Sequence, residues 1–168
     1  KKNTRRIIEA FETVRNNQFV QLVLVGKMGY GYEQVRLAIA SSPFHEDIHE
    51  LGWLPQEEAQ SLLAHATVFV FPSLYEGFGL PVLEAFAAGV PVIASRGSSL
   101  EEVGGNAALY VDPKNVSEIA DAIQQLLENN DLRNSLVHAG RGRLKEFSWE
   151  KCAEETFKTM SKKFNSQF

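Results

Sequence analysis

The sequence predicts an α/β fold, a parallel sheet sandwiched between helices. Two observations predict it. Short apolar runs alternate with longer stretches of helical spacing along the chain. The runs, among them QLVLVG, TVFVF and PVIAS, are apolar throughout, which is the pattern of strands buried on both faces. At 168 residues the chain suits one domain with a sizeable core.

In residues 2–16, Ile7, Ile8, Phe11 and Val14 fall at helical spacing with charges on the other face, so this stretch reads as a helix. Gln21–Gly26 is apolar and too short for a helix, so it reads as a buried strand. Residues 32–41 read as a helix and Ile48–Gly52 as a short strand. Gln56–His65, preceded by Pro55, is helical. Thr67–Phe71 is rich in β-branched and aromatic residues and reads as a strand. Residues 80–88 form a helix that ends at Gly89, and Pro91–Ser95 and Ala107–Val111 are strands. Residues 115–129, 131–145 and 149–164 read as three closing helices, with Trp149 and Phe157 as apolar anchors of the last. Right-handed crossovers between parallel strands put ligands beyond the carboxyl ends of the strands. The loops Lys27–Gly31, Gly52–Pro55, Ser73–Gly79 and Arg96–Ser99 all come after strands, so they are expected to share one rim.

Composition removes several function classes. The balance of 17 Lys+Arg against 21 Asp+Glu is mildly acidic, and no basic arm or stripe argues for nucleic acid. The single cysteine, Cys152, provides no intramolecular disulfide framework and fits a reducing, cytoplasmic compartment. No apolar stretch approaches the ~18–20 residues that span a bilayer. The opening Lys-Lys-Asn-Thr-Arg-Arg imitates the basic start of a signal peptide, but Glu9, Glu12 and Arg15 break up the stretch where its apolar region would lie.

The chemistry concentrates in Phe71-Pro72-Ser73-Leu74-Tyr75-Glu76-Gly77-Phe78-Gly79-Leu80-Pro81-Val82-Leu83-Glu84. Pro72 stops the strand, because proline cannot donate to a ladder. Gly77 and Gly79 permit positive φ and close backbone approach. Pro81 suits the first helical position. Strand, glycine turn and helix start together make an anion site, the helix end being worth ~0.3–2 kcal/mol to a well-placed anion. Glu84 is expected in the first turn of the helix and Glu76 in the loop. Three readings compete. Glu84 could merely complement the helix dipole, with Glu76 solvated. The pair could be the two carboxylates of a glycosidase. Or each could bind hydroxyls on either side of a bound diphosphate, as a sugar nucleotide requires.

These residues resemble the donor-binding signature of retaining glycosyltransferases of GT-B fold, family 4 (glycosyl transferases group 1). That family carries two glutamates with seven residues between them in the context E-G-F-G-x-P-x-x-E, as Glu76 and Glu84 stand here. The adjoining Ala85–Ser95 and Leu109–Pro113 are similar to the family as well. The resemblance implies a Rossmann-like, doubly wound parallel sheet forming the C-terminal half of GT-B. It implies transfer of a hexosyl group from a nucleotide diphosphate sugar to a glycan or lipid-linked acceptor hydroxyl, with retention, without metal or cofactor. Glu84 would accept hydrogen bonds from ribose hydroxyls. Glu76 would sit by the donor hexose. The amides of Gly77, Phe78, Gly79 and Leu80 would hold sugar hydroxyls and diphosphate. The segment Ile48 to Leu54 would receive the base. Lys2 would neutralise the diphosphate.

Gly26-Lys27-Met28-Gly29-Tyr30-Gly31 is not a dinucleotide fingerprint, since its glycine order is G-x-x-G-x-G. It reads as a turn near the donor rim, with Lys27 either a ligand or solvated surface. Its G-K-x-G-[WY] form resembles bacterial members that use donors such as GDP-mannose. His45, His49, His65 and His138 lie singly and read as structural or surface residues, not catalytic ones. Ser99-Leu100-Glu101-Glu102 fits a capping box.

The family's domain opens one strand earlier, with a Gly-Arg before the lysine. In a 3-2-1-4-5-6 sheet that strand lies between Gln21–Gly26 and Thr67–Phe71. A gap there would expose two long apolar edges, so a disordered upstream segment, a foreign strand filling the gap or closure by rearrangement is expected. The acceptor domain and the arginine are expected to lie outside this chain, which alone is expected to be inactive. Any peripheral membrane contact would come from that missing part. The rival class is a non-catalytic nucleotide-binding or interaction module of the same fold.

Overall fold

The computed structural model describes residues 1–27, 29 and 31–165. Its elements run α1 (Thr4–Arg15), β1 (Leu22–Val25), α2 (Tyr32–Ser41), a 3₁₀ turn (His45–Asp47), β2 (Ile48–Gly52), α3 (Gln56–Ala64), β3 (Phe69–Phe71), α4 (Leu80–Ala88), β4 (Val92–Ser95), α5 (Ser99–Gly104), β5 (Ala108–Val111), α6 (Val116–Glu128), α7 (Asn130–Leu144) and α8 (Trp149–Asn165). Of the loop Lys27–Gly31, Met28 and Tyr30 lie outside the described residues.

All ladders are parallel. β1 pairs β2, and β3, β4 and β5 form a second sheet in that order. Among the described residues no ladder joins β1 to β3, so the sheet divides between them and the expected closure by rearrangement does not occur. A strand's length is set by its ladder partners. β3, paired only with β4, accordingly shrinks to Phe69–Phe71 from the expected Thr67–Phe71.

The core lies mainly under the second sheet. All four residues of β4 are buried. Phe71, Val82, Ala85, Phe86, Val92, Ala94 and Leu100 pack on one face of the sheet, and Ala10, Val14, Ile93, Val111, Ile119 and Leu126 on the other. Phe86 is 2% exposed and its burial is worth roughly 2–3 kcal/mol. Gly140 makes room for it: a Cβ there would lie 2.8 Å from the Phe86 ring, so α7 approaches α4 closely only because it carries glycine.

The first sheet departs from the expected two-sided burial. Leu22 and Leu24 pack with Ile8, Phe11 and Ile48, but Val23 and Val25 are exposed. α1 and α2 cover one face of β1, while α3 packs against α4 instead of covering the other. The expected anchors of α8 also differ: Trp149 and Phe157 are 76% and 73% exposed, because no described element packs extensively against that helix. Among the described residues no helix is long and apolar enough to cross a membrane.

Candidate functional site

The loop between β3 and α4 is held by its glycines. Gly79 is the N-cap of α4 with φ 123°, and a Cβ there would come within 2.5 Å of Leu100 Cδ2. Only glycine satisfies both the backbone and the packing. The helix starts at Leu80, so Pro81 is its second residue and Glu84 begins the second turn, not the first as expected. Glu84 therefore lies beyond the strongest part of the helix-end field, and dipole complementarity is a weak account of it. Its side chain is exposed and makes no hydrogen bond or ion pair among the described residues.

The helix start offers unused donors. Val82 N–H turns back to the Gly79 carbonyl at 2.9 Å. The N–H groups of Gly77, Phe78, Gly79 and Leu80 donate no hydrogen bond among the described residues. The rings of Phe78 and Phe147 meet edge to face, with centroids 6.0 Å apart.

Glu76 is held tightly. Its side chain is only 10% exposed, with Lys2 Nζ at 2.8 Å and Lys1 Nζ at 3.7 Å. Burial pushes its carboxyl up, but Lys2, the neighbouring Ser73 hydroxyl and Lys1 outweigh burial and hold it below the ordinary glutamate range. Lys2 Nζ also stands 4.4 Å above the Phe71 ring. The chain start reaches this place because Leu74 N–H donates to the Lys1 carbonyl at 2.9 Å and Asn3 bridges two loops. Asn3 Nδ2 donates to the carbonyls of Pro72 and Pro113, and its own backbone is left-handed with φ 65°. Asparagine tolerates that conformation better than most side chains.

The remaining expected residues divide. Lys27 is exposed at the end of β1, its Nζ 5.9 Å from the Trp53 ring, and Leu54 lies next to Trp53 on the same rim. Ile48 does not belong to the site. It is 7% exposed, starts β2 opposite Leu22 and packs in the core, at the strand end away from the rim. Only the Gly52–Leu54 part of the segment Ile48 to Leu54 lies at the rim. The cap of α5 moves by one residue: Ser98 is the N-cap and accepts the Leu100 N–H, while Glu101 accepts the Gly97 N–H at 2.6 Å. Sequence reasoning missed Asn3 as a bridge, and Ser73, Ser95 and Ser99 as supports of the Glu76 loop. The left-handed preference of asparagine was a usable signal for the first, whereas the serines carried none.

Parallel strands, a glycine turn with free amides and a cation beside the loop define a Rossmann-like domain suited to a phosphate-bearing ligand. The chain matches the family described as "Glycosyl transferases group 1" over residues 1–143, and it belongs to that family. It is 37% identical over 158 residues to the O-antigen chain mannosyltransferase B of Escherichia coli, a match covering 93% of this chain and 42% of that protein. It is 36% identical over 159 residues to the MMP alpha-(1->4)-mannosyltransferase of Mycolicibacterium hassiacum, covering 92% and 38%. Among solved structures, sucrose-phosphate synthase from Thermosynechococcus elongatus superposes with a TM-score of 0.85 and 27% identity, over 98% of this chain and 43% of that one. Anabaena Alr3699/HepE in complex with UDP-glucose superposes at 0.85 with 19% identity, over 96% and 45%, a likeness of fold alone. The fold is thus the Rossmann-like half of a GT-B glycosyltransferase. The chain spans about two-fifths of the length of the curated relatives it matches.

Proposed function

We propose that this chain is the donor-binding domain of a longer hexosyltransferase. That enzyme moves a hexosyl group from a nucleotide diphosphate sugar, GDP-mannose-like or UDP-linked, to a hydroxyl of a glycan or lipid-linked acceptor, retaining the anomeric configuration. The carrying observation is the contrast across the α4 start. Glu84, exposed and unpartnered among the described residues, can accept two ribose hydroxyls, while Glu76 sits among cations on the other side. The names of the two mannosyltransferase relatives and the UDP-glucose bound by HepE support the donor class.

The domain's chemical work is electrostatic. As the hexosyl group departs, negative charge grows on the diphosphate, and the free amides of Gly77 to Leu80 with Lys2 meet it. Lys2 supplies the charge that a metal supplies elsewhere, so the reaction is proposed to be metal-independent and to need no cofactor. Glu76, kept ionised, contacts the hexose near its reacting end. Lys27, Trp53 and Leu54 border the base. The acceptor is bound by a domain outside this chain, which also makes any peripheral contact with a membrane, and the enzyme acts in the cytoplasm.

The test is calorimetric titration of GDP-mannose, UDP-glucose and ADP-glucose into the full-length enzyme, with product analysis. Micromolar binding of one donor and a new glycoside with unchanged anomeric configuration are expected. Binding without turnover of any donor would favour a non-catalytic nucleotide-binding module, and no binding at all would refute the reading.

A further inference from the structure

The loop that carries Glu76 is tied down by serines with no role in the proposed donor binding. Ser95, the last residue of β4, is fully buried, and its hydroxyl donates to the Ser73 carbonyl at 2.6 Å. Ser99, the first residue of α5, donates its hydroxyl to the carbonyl of Glu76 itself at 2.8 Å. The helix does not need that hydroxyl, because Ser98 is its cap. One short segment, 95–99, thus grips the stretch 73–76 at both ends. Between the grips, the Ser73 hydroxyl is fully buried, has no hydrogen-bond partner of good geometry among the described residues, and neighbours the Glu76 carboxylate. A reacting-site group misplaced by about 1 Å can cost a large factor in rate, so a tether on the residue that bears the carboxylate matters to the chemistry.

We infer that Ser99 is a positioning residue for the transfer reaction: its hydroxyl fixes the Glu76 backbone so that the carboxylate meets Lys2 and the donor sugar. The inference rests on the reading of Glu76 as a donor-sugar contact. Ser95 anchors the other end of the loop, but its full burial also makes it part of the core. Ser99 is half-buried and can be changed with α5 still capped by Ser98.

Carboxylate-detected NMR titration of Glu76 in this chain tests the placement directly, the charged groups facing it being Lys1 and Lys2. In Ser99→Ala the Glu76 midpoint is expected to rise toward the ordinary glutamate range as the carboxylate leaves Lys2, and in Ser99→Thr to stay at the wild-type value. Asn129→Ala is the control for lost stability. It removes the cap of α7, whose side chain accepts the Leu132 N–H at 2.9 Å, and is expected to lower Tm without moving that midpoint. In the full-length enzyme, with GDP-mannose and UDP-glucose as the donors tried, Ser99→Ala is expected to lower kcat about five- to tenfold with donor KM within about twofold. Ser99→Thr restores it, and in a Glu76→Ala background the same change costs nothing further. An unchanged Glu76 midpoint in Ser99→Ala overturns the inference. So does an unchanged kcat where Glu76→Ala itself lowers turnover. If Glu76→Ala leaves turnover intact, the reading of Glu76 fails instead, and the titration still decides whether Ser99 places the carboxylate.

Discussion

Glu76 and Glu84 flank the same glycine loop and helix start, yet their surroundings differ throughout. Glu76 is nearly buried, paired with Lys2, and carried on a loop held by Ser95, Ser99 and the Lys1 backbone. Glu84 projects from the second turn of α4 with no partner among the described residues. A side chain held in advance loses little freedom when a ligand arrives, whereas an exposed one gains its partners from the ligand. On the proposed reading, the sugar end of the site is assembled before a donor binds, and the nucleotide end is completed by the donor. The two sheets repeat the pattern, since β4 is wholly buried beside the first end while Val23 and Val25 leave β1 half-bare beside the second.

The largest expected effect comes from the joint between the two ends. Gly79→Ala puts a methyl group 2.5 Å from Leu100 Cδ2 on a backbone with φ 123°. It is expected to cost about 2–4 kcal/mol by denaturant unfolding and to abolish GDP and UDP binding. Retained binding would mean that the loop geometry does not make the anion site.

Lys2→Ala breaks the assembled end from its charged side. It is expected to weaken GDP or UDP binding about five- to tenfold at low salt, less at high salt, because Lys2 is half-exposed and screened. The Glu76 midpoint should rise in the same variant. A loss of affinity independent of salt would contradict a charge-based role.

The smallest effect concerns pH. Glu76 has its folded pKa below that of the unfolded chain, so the unfolded state takes up the proton first as pH falls. Its contribution to stability is full above the ordinary glutamate range and vanishes as pH drops through the depressed folded value. Glu76→Gln is therefore expected to lower Tm slightly at neutral pH and to match the wild type in acid. A gap that widened on acidification would reverse the sign and remove Lys2 as its cause.

Much of this architecture was legible in the chain, for reasons that vary with the element. α2, β2 and α4 fall on the residues expected, because glycine, proline and abrupt changes of apolar pattern mark their ends. Side-chain surroundings were harder. An apolar run such as LVLV does not say whether both faces are covered, and β1 is covered on one. Adjacent serines look alike in sequence, but backbone geometry makes Ser98 the cap and frees Ser99 for Glu76. Ile48 shared a segment with rim residues, yet the length of β2 carries it to the far end, into the core. The Lys2–Glu76 pair joins residues 74 apart, a distance that no local pattern encodes.

The proposed division of labour between the two carboxylates is open to direct test. The most direct measurement is calorimetric titration of the bare nucleotides GDP and UDP, and of the intact donor, into Glu84→Ala and Glu76→Ala forms of the full-length enzyme. Glu84→Ala is expected to weaken the bare nucleotide by at least about tenfold to a hundredfold, since each of the two charge-assisted hydrogen bonds it removes is worth about 1.5–3 kcal/mol. Glu76→Ala should leave the bare nucleotide within about twofold, and turnover should fall instead. Equal losses of nucleotide affinity in both variants, or none in Glu84→Ala, would contradict that division of labour.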